Sequence, residues 1–136
     1  VEKNWWPLGE EGLKMEREAS KFLGVKYGVL ANSGSSAGLL ALSALELPKR
    51  SEVIIPATTF PTIFNIILQC GLVPVVVDTE VGTYNLNPDK LEKAISKKTK
   101  AIICVHAVGN VIDLVKVRKL AQKHKIKVIL DNLRVR

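Results

Sequence analysis

The sequence predicts an α/β fold: alternating strands and helices that form a largely parallel sheet with helices on its faces. Three observations carry that prediction. From Tyr27 to Asp131 short apolar runs of strand length alternate with helical patterns, and strands separated by helices pair in parallel. One run, Val73 to Val77, is apolar at every position, as a strand covered on both faces would be. The 136 residues are 47% hydrophobic, enough for one sizeable core in a single domain.

The opening, WWPLGEEGLKMEREASKFLG, turns from an aromatic arm into an amphipathic helix with Leu13, Ala19, Phe22 and Leu23 as its apolar stripe and Gly24 as its stop. Trp5 and Trp6 are expected to pack, on another subunit, on a part of the protein outside this sequence, or on this same domain. Tyr27 to Ala31 has the length of a short buried strand. The turn Asn32-Ser33-Gly34-Ser35-Ser36 then leads into an Ala/Leu-rich helix. Glu52 to Ile55 is a strand ending at Pro56, and the loop Ala57-Thr58-Thr59 with Phe60 and Pro61 starts a helix that Gly71 closes. After the strand Val73 to Val77, Asn87 caps a helix with Pro88 at its first position, running through Ile95. Lys100 to Val105 is a strand, His106 to Asp113 a loop, Leu114 to His124 a helix, and Lys127 to Leu130 a last strand running into Asp131.

The composition narrows the function classes. No apolar run is long enough to span a bilayer, because Asn65, Gln69 and Gly71 interrupt the best candidate, and the N-terminus lacks a signal-peptide pattern. The expected location is the cytoplasm. Cys70 and Cys104 lie in apolar segments with neither metal-ligand nor disulfide spacing, and His106 and His124 complete no zinc site with them, so no metal centre is expected. The net charge of +7 is uneven: residues 90–136 carry 13 Lys/Arg against 3 Asp/Glu. That half could attract nucleic acid or an anionic substrate. However, many of its lysines fall on predicted helix faces with no aromatic residue interleaved, so solvated helix surface is the better reading.

In parallel sheets ligands collect at the carboxyl ends of the strands. Here those ends carry the Asn32–Ser36 turn, Phe60, the His106–Asn110 loop and Asp131. A strand, a tight turn and a helix N-terminus leave backbone N–H groups free to hold a phosphate, with serine hydroxyls as extra donors and Gly34 allowing close approach. The same residues could instead form an ordinary cap and turn. The stretch is neither a dinucleotide fingerprint nor a P-loop.

The ordered set NSGSSAGLLALSAL, VIIPATTFPTIFN, GLVPVVVDTEVGTYNLNPDKLEKAI, KTKAIICVHAVGN and VILDN resembles the DegT/StrS-type nucleotide-sugar aminotransferases. These are pyridoxal-phosphate enzymes of the type I aspartate aminotransferase fold. The resemblance runs from about Trp6 to Asn132. It implies an N-terminal arm and helix over 1–26 and part of the cofactor-binding large domain over 27–136.

By that resemblance Gly34, Ser35 and Ser36 match the segment that holds the cofactor phosphate. Phe60 matches the aromatic residue stacked on the pyridine ring, and Asp131 the aspartate that keeps the pyridine nitrogen protonated. His106 and Asn110 match a loop lining the site, although a structural, hydrogen-bonded His106 is an equal reading. Taken alone, Phe60 could be an ordinary core aromatic and Asp131 an ordinary strand-end aspartate. TTFPT and HAVGNVIDL look more like the CDP-4-keto-6-deoxyhexose 3-dehydrase branch, which uses the pyridoxamine form of the cofactor and an iron–sulfur reductase partner.

The resemblance further implies a homodimer and a nucleotide-linked keto-sugar substrate, in deoxysugar or polysaccharide biosynthesis. The residue that separates the branches, a Schiff-base lysine or a histidine, lies downstream of the position of Asp131 and outside this chain. The 136 residues are therefore expected to lack catalysis on their own. Where the family has a polar residue contacting the cofactor's phenolic oxygen, this chain has Arg134. Two other classes compete: a non-catalytic module that binds a phosphate ligand or a protein, and a basic nucleic-acid-binding domain.

Overall fold

A computed structural model describes residues 9–132. The expectations for Trp5, Trp6 and Arg134 fall outside those residues. The chain divides into two compact units, Val1–Ser33 and Gly34–Arg136.

In the first unit, helix α1 spans Glu10–Leu23, with Glu10 and Glu11 in its first turn, where the helix dipole favours negative charge. Gly24 ends it in the left-handed conformation (φ 65°), its N–H donating to the Lys21 carbonyl. The predicted stripe is not a buried one. Phe22 is 87% exposed and no residue of α1 is buried. Nor does Tyr27–Ala31 form the expected strand: it is irregular, with Tyr27 73% and Val29 75% exposed. Local bonding accounts for this. The Leu30 N–H donates to the Glu16 carboxylate at 2.8 Å rather than to a ladder. Gly28 passes so close to α1 that a Cβ there would lie 2.7 Å from Ser20 Oγ.

The second unit is built on a four-stranded sheet. Its elements are α2 (Gly34–Ser43), β1 (Glu52–Pro56), α3 (Pro61–Gln69), β2 (Val73–Val77), α4 (Pro88–Ala94), β3 (Thr99–Val105), α5 (Leu114–His124) and β4 (Lys127–Asp131). The strands run in the order β2-β1-β3-β4, all parallel. Side-chain alternation sends successive residues to opposite faces. Val53 and Ile55 of β1 join Ala101 and Ile103 of β3 in one core with Leu42, Ile63, Ile66 and Ile67 from α2 and α3. Ile54, Ile102 and Cys104 face the other way, into a core with Leu86, Leu91 of α4 and Val117 and Ala121 of α5. Gly38 of α2 lies where a Cβ would sit 3.0 Å from Ile66, so a small residue lets α2 and α3 approach.

The expected strand β2 is present but not covered on both faces. Val76 is 54% exposed, and β2 lies at the edge of the sheet, with β1 its only strand neighbour among the described residues. The caps follow the residue types. Asn87 Oδ1 accepts from the N–H groups of Asp89 and Lys90, with Pro88 at the first helical position. Asp113 caps α5 by accepting from the Lys116 N–H. No helix among the described residues is long and apolar enough to cross a membrane.

Candidate functional site

At the carboxyl ends of the strands lies an open cleft of about 410 Å³. The first turn of α2 contributes Gly34 and Ser35, where backbone N–H groups lack intrahelical partners. The loop after β1 contributes Thr58, Thr59 and Phe60, and α3 adds Thr62, Ile63 and Ile66. Val105, His106, Ala107 and Val108 come from the end of β3 and its following turn, and Asp131 from the end of β4. One side is therefore rich in hydroxyls, another carries an imidazole and a carboxylate, and apolar side chains lie between.

Each group is held differently. Phe60 precedes Pro61 in extended conformation (ψ 135°), and the residue stays 65% exposed. Thr58 Oγ1 lies 3.3 Å from Thr79 Oγ1. Thr59 Oγ1 is buried with no hydrogen-bond partner among the described residues, although it belongs to a cleft-lining residue. A buried hydroxyl without a partner carries a desolvation penalty that a polar ligand would relieve. His106 is 6% exposed, and its Nδ1 accepts from the Ile112 N–H at 3.1 Å. In the neutral ring the proton is then on Nε2.

The turn after His106 is strained. Val108 sits at φ 52°, ψ 25°, a region that β-branched residues rarely enter. Asn85, 3% exposed, holds it from behind, its Oδ1 accepting from the Ala107 N–H at 3.3 Å. The Asn110 N–H closes the turn onto the Ala107 carbonyl at 2.8 Å.

Of the residues singled out in the sequence, Gly34, Ser35, Phe60, His106 and Asp131 meet in this cleft. Ser36 and Asn110 are not among its lining residues. Ser36 is one position further into α2, and the Asn110 side-chain amide donates to the Thr83 carbonyl at 3.0 Å, tying two loops together. Sequence reasoning did not single out Thr59, Thr62, Asn85 or Val108. The TTFPT run signalled a polar loop there, but no sequence feature marks a strained valine.

A helix N-terminus, hydroxyls, an accessible ring and a carboxylate thus meet at the carboxyl end of a parallel sheet, the place where α/β domains commonly take ligands. This chain belongs to the DegT/DnrJ/EryC1/StrS aminotransferase family, whose sequence model matches residues 1–133. It is 41% identical over 132 residues to the dTDP-4-dehydro-2,6-dideoxy-D-glucose 3-dehydratase of Saccharopolyspora spinosa, covering 91% of this chain and 29% of that protein. It is also 41% identical over 124 residues to the UDP-N-acetyl-3-dehydro-alpha-D-glucosamine 3-aminotransferase of Acidithiobacillus ferrooxidans, covering 91% of this chain and 34% of that one.

In three dimensions it resembles the crystal structure of GDP-4-keto-6-deoxymannose-3-dehydratase with a trapped PLP-glutamate geminal diamine. The TM-score is 0.86 at 33% identity, over 92% of this chain and 34% of that one. The fold is that of the type I PLP-dependent aminotransferases. The chain spans about a third of the length of the relatives it matches.

Proposed function

We propose that this chain is the N-terminal portion of the cofactor-binding domain of a nucleotide-sugar enzyme that uses pyridoxal or pyridoxamine 5'-phosphate. The enzyme is an aminotransferase or a 3-dehydrase acting on a keto-deoxysugar nucleotide, for deoxysugar or cell-surface polysaccharide synthesis. The observation that carries the reading is the convergence of the α2 N-terminus, Phe60 and Asp131 on one cleft that also holds the unpartnered Thr59 hydroxyl.

The residues present fit the cofactor. The amides of Gly34 and Ser35 and the serine hydroxyl would take the phosphate, with Ser36 extending that turn. Phe60 offers a face to the ring, and Asp131 a carboxylate to a protonated pyridine nitrogen. Thr59 and Thr62 add hydroxyls beside them, and His106 donates through Nε2. When bound, the cofactor supplies an electron sink for a carbanion.

The relatives' names support a nucleotide-linked keto-sugar as the whole enzyme's substrate. They cover both branches at equal identity, so the motifs TTFPT and HAVGNVIDL are the present grounds for the dehydrase branch. A homodimer is proposed for the whole enzyme, with an iron–sulfur reductase partner if it is a dehydrase. The cytoplasm is the proposed compartment, consistent with the free thiols of Cys70 and Cys104.

Calorimetric titration with pyridoxamine 5'-phosphate tests the site, since this form cannot react with surface lysines. One saturable site is expected, weakened about tenfold by Phe60→Ala, as loss of a stacked ring would do. Absence of saturable binding up to millimolar ligand would overturn the reading.

A further inference from the structure

We propose that the amino-terminal pole of the sheet, at the opposite ends of the strands from the cleft, binds a compact oligophosphate: an anion of two or more linked phosphate groups. A recess of about 480 Å³ lies there, between the Pro48–Ser51 turn and the Lys97–Lys100 segment. Five cationic residues line it, Lys49, Arg50, Lys97, Lys98 and Lys100, all exposed, against a single carboxylate, Glu52.

That carboxylate is already engaged. Glu52 Oε2 accepts from the hydroxyls of Ser96 and Thr99. None of the five cations has a carboxylate within salt-bridge distance among the described residues. Elsewhere in the same basic half, Lys90, Lys116 and Lys123 are paired with Asp78, Asp113 and Glu92. The unpaired lysines of the helix faces are dispersed, whereas these five crowd one recess. Like charges gathered without counter-ions repel, and a multivalent anion relieves all of those repulsions at once.

The frame that carries the charges is fixed by its backbone. Arg50 is left-handed (φ 64°), and its N–H donates to the Gly71 carbonyl at 2.9 Å. The Lys98 carbonyl accepts from the Glu52 N–H at 2.9 Å, which fastens the two lining segments together. Lys100 Nζ donates to the Lys97 carbonyl at 3.0 Å, folding its ammonium group back onto the same segment. Adjacent strands are about 4.8 Å apart, so the segments entering β1 and β3 carry their charges at close spacing. Lys127 starts β4 opposite Ala101 and continues the row. No aromatic residue lines the recess, so nothing there would stack a base. That favours linked phosphates over a nucleic-acid strand.

Titration of the 136-residue chain with sodium tripolyphosphate at low salt tests the site independently of any cofactor binding. One-to-one binding is expected. The double variant Arg50→Gln/Lys98→Gln should weaken it by about tenfold per charge removed. The helix-face double variant Lys93→Gln/Lys119→Gln, equal in net charge, should stay within about twofold of the parent. No binding at millimolar tripolyphosphate would overturn the site, as would equal weakening in both double variants. Tighter binding of an oligothymidylate than of tripolyphosphate would also overturn it and reassign the pole to nucleic acid.

Discussion

The backbone N–H of His106 donates to the carbonyl of Asp131 at 3.2 Å, one step past the last register pair of β3 and β4, Val105 with Asp131. Two residues of the cleft are thus fixed relative to each other through main chain, not through their side chains. Asp131→Asn should therefore leave the sheet register intact while removing the charge proposed to face the pyridine nitrogen. A cooperative melt close to the parent's is expected, with pyridoxamine-phosphate affinity at least about tenfold lower. Unchanged affinity in calorimetry would remove Asp131 from the site.

Asn85 is a second test, this time of the scaffold. Asn85→Leu removes the acceptor of the Ala107 N–H inside a buried turn and should cost about 1–3 kcal/mol in urea unfolding. Asn85→Asp keeps an oxygen at that position and should lose less. Equal losses would mean the bond does not hold the turn.

Ile102 is fully buried at the centre of β3 and packs into the core that α4 and α5 cover. Ile102→Ala should destabilise by about 2–5 kcal/mol, from lost transfer energy and the cavity left behind. A smaller drop in the urea midpoint would mean that face collapses around the gap.

Cys104 provides a pH signature. Burial pushes its thiol up to about 12 from an ordinary value of 9.0. The unfolded chain releases this proton above pH 9 while the folded one keeps it. Stability should accordingly be unaffected below pH 9 and fall by up to about 1.4 kcal/mol per pH unit between 9 and 12. Cys104→Ala should flatten that limb of the curve. In native protein at pH 8, iodoacetamide should modify Cys70, which is only partly buried, and spare Cys104.

At the acid end, Asp78 and Glu92 are held below their usual values by hydrogen bonds from Lys90 and Lys123, and Asp113 chiefly by the Lys116 N–H. These contributions are present above the ordinary carboxylate values and fade as pH falls below them. All three carboxylates are exposed, so raising salt from low to about 1 M should shrink the part due to charge pairing.

Local chemistry made most of the sheet readable from the sequence. Glu52–Pro56, Val73–Val77 and the segments ending at Val105 and Asp131 are apolar runs bounded by turn residues, and Asn87-Pro88 announces its own helix. Tyr27–Ala31 has the same local pattern, yet its Leu30 N–H goes to Glu16, fourteen residues away, which no run of residues advertises. The exposure of Val76 has a similar origin, since being an edge strand is a property of the sheet and not of the strand. In the cleft, residue types marked Ser35, Phe60 and Asp131. The isolation of the Thr59 hydroxyl and the strain at Val108 depend on how separate loops meet.

The two edges of the sheet are not equivalent. The Val73 N–H donates to the Ser51 carbonyl, so by alternation residues 73, 75 and 77 point their donors at β1 and positions 74 and 76 point outward. Of these, Pro74 has no donor to offer and leaves Val76 as the outward donor, so β2 is partly blunted as a template. On β4, Val128 and Leu130 turn their main-chain groups away from β3, with no proline among them. Among the described residues, strand addition is therefore less hindered along β4 than along β2, where Pro74 interrupts the outward row of donors beside Val76.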